Sequence, residues 1–167
     1  MYDIIGKVWT FLFGIMLLFI GSVTLYAQKQ DVAVQNYVSE AVTEFVDVSR
    51  ASGEIMDEQY RTFIGKLDAT GNLYDVKMIH YREKTTAAAD YSDNYQIYYE
   101  SYNEKEILDS MDRNDGKYQL HNGDFLRVEV KNFHPTLGRK LMGFFLMRPT
   151  SEGGQIFANY GGYIGND

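Results

Sequence analysis

Cysteine is missing altogether, proline occurs twice and tryptophan once. Without cysteine there can be no disulfide, iron–sulfur cluster, thiolate zinc site, covalent c-type haem or cysteine nucleophile. The prolines are Pro135 and Pro149, so no ring blocks a helix before Pro135. Basic residues are also scarce: 16 Lys and Arg stand against 23 Asp and Glu, a net charge of −7. Residues 1–27 contain only Asp3 and Lys7, which cancel, so the whole excess of acid belongs to residues 28–167. Binding nucleic acid needs a basic surface that displaces counterions, and nucleic acid is not an expected partner.

Catalytic and metal-binding patterns are missing as well. His80, His121 and His134 lie far apart, in no H-x-x-x-H or H-E-x-x-H spacing, and structural or surface places are expected for them. Asp112, Asn114 and Asp115 before Gly116 resemble a calcium loop, but the frame ending at Gly116 sets Met111 and Arg113 at ligand positions, so a turn is expected. The glycines of EGGQ and YGGYIGND form no phosphate-binding frame. No Ser/His/Asp set or paired-carboxylate motif can be assembled. The expectation is a protein that is not an enzyme and holds no cofactor and no metal.

What the chain does have is an uninterrupted apolar run. Val8–Ala27 (VWTFLFGIMLLFIGSVTLYA) carries no charge, and as a helix it spans about 30 Å, the thickness of bilayer hydrocarbon. A cleaved signal peptide is the alternative. The run exceeds the usual signal core of roughly 7–15 residues, and Leu25 is large where the cleavage site wants a small side chain. Val8, Phe11, Leu12, Gly14, Ile15, Leu18, Phe19, Gly21 and Leu25 are the expected membrane and assembly surface. Gly14 and Gly21 share one stripe, where small residues let helices approach closely. Lys7 and Lys29 flank the run on either side, and the short tail favours an inside N-terminus with the larger domain exported.

The helical pattern continues past the run. Val34, Val38, Ala41, Val42, Phe45 and Val48 recur at helical spacing among polar residues, and Gly53 is the first stop. One helix from about Gly6 to Ala51 is expected, about 65–70 Å long. The division is residues 1–27, a hydrophobic transmembrane and assembly helix, and residues 28–167, a soluble α+β domain beginning with the helix continuation. A short helix follows around Tyr60, Phe63, Ile64 and Leu67, ending in the DATGN turn. Strands are expected over Leu73–Arg82, Tyr95–Tyr102 and Phe125–Phe133, with residues 83–94 as an exposed loop. Asn103 with Glu106 signs a capping box for a helix containing Ile107, Leu108 and Met111. Thr136–Leu146 fits either helix or strand, and Gln155–Ile164 reads as a final strand. Tyr91, Tyr95, Tyr98, Tyr99 and Tyr102 offer rigid amphipathic area, for half-buried packing or for a subunit contact.

A hydrophobic half-helix continued without a break by an amphipathic half on a small antiparallel sheet resembles the type IV pilin superfamily. The run VSEAVTEFVDVSRASGEIMDEQYRTFIGKLDATGNLYDVKMIHYRE (Val38–Glu83) and the closing YGGYIGND are similar to pilin-like, tight-adherence (Flp-like) proteins of Gram-positive bacteria. The chain departs from the superfamily where precursors are cut after a glycine and carry Glu five residues on: the residue five after Gly6 is Phe11. Asp3 is the candidate to supply an intersubunit charge in its place. The resemblance implies a structural subunit of an extracellular filament, or a minor pseudopilin. Its partners would be copies of itself or other pilin-like subunits, with the membrane as its site before assembly. The alternative is a non-polymerising single-pass component of a pilus-assembly or secretion complex.

Overall fold

The computed structural model describes residues 2–87, 95–136, 139–140, 143–144 and 156–165. Its longest element is α1, Tyr2–Ser52, 51 residues without a break. With no proline in the way, α1 runs until Gly53, whose φ of +68° suits a residue without Cβ and turns the chain out of the helix. Then follow β1 (Glu54–Met56), α2 (Asp57–Asp68), β2 (Tyr74–Ala87), β3 (Tyr95–Asn103), α3 (Glu104–Arg113), β4 (Lys117–Gln119), β5 (Phe125–Asn132) and β6 (Phe157–Tyr163).

The main sheet has the order β3-β2-β5-β6 and is antiparallel throughout; β1 and β4 form a separate two-stranded antiparallel pair. The fold is therefore α+β, a long helix packed on a small antiparallel sheet. The alternation read in β5 sets Leu126, Val128 and Val130 on one face, and all three are fully buried. Met78 and His80 of β2 and Ala158 of β6 lie on the same buried face. Against it α1 lays Val38, Ala41, Val42, Phe45, Val46 and Ser49, spaced by three and four, while α2 adds Phe63 and Leu67. Phe45 stacks on Phe63 with ring centroids 4.7 Å apart.

Two expectations need adjustment, one pair of strands was not expected, and one stretch left open is decided in part. Val48 stays 42% exposed, and Val46 is the buried residue of that turn. Residues 83–87, expected in a loop, are strand instead, because β2 remains paired with β3 through Ala87↔Tyr95; the rest of that expected loop, residues 88–94, lies outside the described residues. The short strands β1 and β4 had no periodic signature: three residues give too little alternation, and Ile55↔Tyr118 pairing is decided by the fold. Residues 139–140 and 143–144, within the ambiguous Thr136–Leu146 stretch, are helical.

The capping box at α3 is formed as expected. Asn103 Oδ1 accepts from the Glu106 N–H at 3.1 Å, and Glu106 Oε2 accepts from the Asn103 N–H at 2.8 Å. Both donors are otherwise without a partner in the helix's first turn.

Candidate functional site

Two features stand apart from ordinary core packing: the bare half of α1 and a buried polar cluster under β2.

Ile15, Met16, Leu17, Leu18 and Phe19 are successive residues, and each is at least 50% exposed. Successive helical residues point 100° apart, so five in a row cover the whole circumference. No side of this stretch is buried by the chain. Among the expected assembly residues, Val8, Phe11, Leu12, Ile15, Leu18, Phe19 and Leu25 are all more or less bare, and Gly14 and Gly21 have nothing within 4 Å of where a Cβ would stand. Thr10, Ser22 and Thr24 each return their hydroxyl proton to the carbonyl four residues back, at 2.9 Å, so these three hydroxyls are satisfied within the helix. This is the chain's one helix among the described residues that is long and apolar enough to cross a membrane. Cover begins on a single stripe: Ile20, Thr24 and Ala27 are partly covered, Asp31 is buried, and the stripe runs on into Val34 and Val38. Asp3 falls within α1 and Tyr95 within β3, with side chains outside the described set, and Tyr91 lies outside the described residues.

The remaining tyrosines do not make one patch. Tyr98 and Tyr99 are half-exposed on opposite faces of β3, because neighbours in a strand alternate. Tyr102 turns inward: its hydroxyl donates to Glu100 at 2.6 Å, its ring lies 5.7 Å from His80, and the Arg82 guanidinium sits 5.2 Å above it.

The buried cluster centres on Asp124, 44 residues from His80, a separation that no short motif reveals. His80 Nε2 lies 2.8 Å from Asp124 Oδ2, and His80 Nδ1 lies 2.8 Å from the Tyr118 hydroxyl. Neutral imidazole has one donor and one acceptor, so Nε2–H donates to the carboxylate and Tyr118 O–H donates to Nδ1. Asp124 also accepts from the His121 N–H at 2.9 Å and the Glu83 N–H at 3.2 Å. Burial holds the His80 imidazole below its ordinary value, against the opposing pull of Asp124. Burial likewise pushes the Tyr118 hydroxyl up to about 12. His80 is 0% exposed and Asp124 1%. The hydrogen bonds at His80 and Asp124 fasten β2 to β4 and to the start of β5. Among the described residues no group of three or more His, Asp or Glu side chains is placed to hold a metal.

Compared with protein-family models, with curated proteins and with solved structures, the chain matches none.

Proposed function

We propose that this chain is a pilin-like subunit, held by α1 in the membrane and passed from there into the apolar core of a helical filament. The observation that carries the reading is the division of one unbroken helix. Its first half is bare and apolar on every side, and its second half forms the spine of an antiparallel domain. Each Leu, Ile or Phe moved out of water stabilises by about 1.5–3 kcal/mol, so a cylinder of them demands lipid or other helices around it. A bilayer accepts any apolar surface; a bundle of like helices also needs close approach, which Gly14 and Gly21 permit. The acidic domain then faces outward, and a heterologous contact that does not close builds a filament.

The second reading, a bitopic component that never polymerises, is favoured by Phe11, which stands where the pilin pattern has an acid. One pair of variants decides between them. Gly14→Leu and Gly21→Leu add side chains into open space within the subunit, so folding and membrane insertion are expected to survive. Negative-stain microscopy of cells and of purified material should show filaments for the parent and none for the variants. Filaments unchanged by both substitutions would sink the close-packed bundle, and no filaments from the parent would leave the bitopic component. Asp3→Ala tests the intersubunit charge: assembly that proceeds unchanged removes Asp3 from that role.

A further inference from the structure

The three most exposed large apolar side chains among the described residues beyond Ala27 are Phe144 at 79%, Leu73 at 68% and Phe133 at 67%. They come from separate segments, yet two of them are tied together, because the Phe133 N–H donates to the Leu73 carbonyl at 2.8 Å. The loop after β5 is in turn fastened to the long helix: Thr136 Oγ1 donates to buried Asp31 Oδ2 at 2.6 Å. Residues 70–73, His134–Thr136 and Lys140 meet Ala27, Gln30, Asp31 and Val34 of α1 around a cavity of about 320 Å³. Phe144 lies four residues beyond Lys140.

Their height along α1 gives these residues a meaning. Asp31 stands four residues past Ala27, the end of the apolar run, which is about 6 Å along the axis. The headgroup layer on each side of the hydrocarbon is about 5–7 Å deep. A helix that spans the bilayer with Val8–Ala27 therefore sets this rim of the domain at headgroup level. The partly covered stripe Ile20, Thr24 and Ala27 carries the cover of α1 below that level. Aromatic and aliphatic side chains with basic neighbours are the composition that lies stably at a bilayer boundary. Lys140 and the exposed Lys29 supply the basic groups here.

We infer that the membrane-proximal rim of the domain is a second membrane contact, with Leu73 and Phe133 entering the headgroup–acyl boundary and Lys29 and Lys140 meeting lipid phosphates. The domain then stands on the bilayer instead of swinging on a flexible stalk. This rests on α1 being a membrane span and is independent of whether the chain polymerises.

Because the chain has no cysteine, one introduced cysteine carries a unique label. The full chain is placed one per nanodisc of phosphatidylcholine and phosphatidylglycerol, with an environment-sensitive NBD dye at Leu73→Cys, Phe133→Cys, Leu18→Cys or Asp112→Cys. Asp112 lies near the end of α3, which leads into β4 beside the C-terminal end of α1. The expected result is blue-shifted emission at positions 73 and 133, quenched by a nitroxide close to the lipid headgroup. Position 18 should be quenched from mid-bilayer, and position 112 should report water. Water-like emission at 73 and 133 with position 18 buried overturns the rim contact and leaves the membrane span intact. Water-like emission at position 18 overturns the span and the rim contact with it. Protection at 73 and 133 that needs several chains per disc overturns it too, since a second copy then covers the rim.

Discussion

Replacing Asp124 by alanine removes the acceptor on which three donors converge. The His80 Nε2–H, the His121 N–H and the Glu83 N–H all point at this carboxylate, at 2.8, 2.9 and 3.2 Å. Hydrogen bonds to a charged group contribute about 1.5–3 kcal/mol each, but the loss depends on whether water can take over. The two amides lie on partly exposed loop and strand positions and can recruit water. The His80 ring, 0% exposed, cannot, and its buried N–H bears the full desolvation penalty. Arg82 Nε, already a buried atom without a hydrogen bond, loses the carboxylate 3.9 Å away. Together these give an expected loss of about 3–5 kcal/mol, in the range of breaking a buried charged network by deleting one partner. The measurement is urea unfolding of the full chain in detergent, followed by near-UV circular dichroism of the tyrosines. Trp9 is in the apolar half of α1 and does not report on the domain. Asp124→Asn keeps one acceptor oxygen and should recover part of the loss. A loss below about 1 kcal/mol for the alanine variant would refute the reasoning, because it would mean that the carboxylate is not what satisfies His80.

The same network predicts a pH dependence. Burial lowers the His80 value in the folded state, so the folded chain binds fewer protons than the unfolded one; stability is full above about pH 6.5 and falls as pH drops below it. Urea midpoints across that range should show the slope, and His80→Phe should flatten it. Asn103→Ala removes the acceptor at the start of α3 and should cost about 1 kcal/mol, read from the same unfolding curves against an exposed-site control such as Lys105→Ala. Gly161→Ala sets a methyl 2.7 Å from the Leu126 carbonyl oxygen and 3.2 Å from Arg127 Cα; backbone atoms of a paired strand cannot step aside, and a loss of about 1–3 kcal/mol is expected in the melting curve.

Local pattern alone determined much of this protein. A charge-free run of bilayer length, continued by apolar residues at helical spacing with no proline, leaves one long helix as the economical solution, and Gly53 ends it because that turn needs a positive φ. The Asn103–Glu106 box and the alternation of Leu126, Val128 and Val130 are equally local, and each gave its element within a residue or two. What tertiary structure decided is whatever depends on residues distant in the chain. Whether Val46 or Val48 is buried follows from the exact angle at which α1 meets β5 and β6. β1 and β4 are strands only because the 60 intervening residues fold back to pair Met56 with Lys117. His80 became a satisfied core residue because Asp124 and Tyr118, 44 and 38 residues away, arrive at its two nitrogens. Leu73 and Phe133, in the sequence only the outer ends of two separate expected strands, are brought together by a backbone hydrogen bond, and Leu73 lines one cavity with Ala27. Periodicity encodes which face of an element is apolar; only packing sets which distant groups meet, since burial and hydrogen-bond satisfaction are properties of the assembled chain.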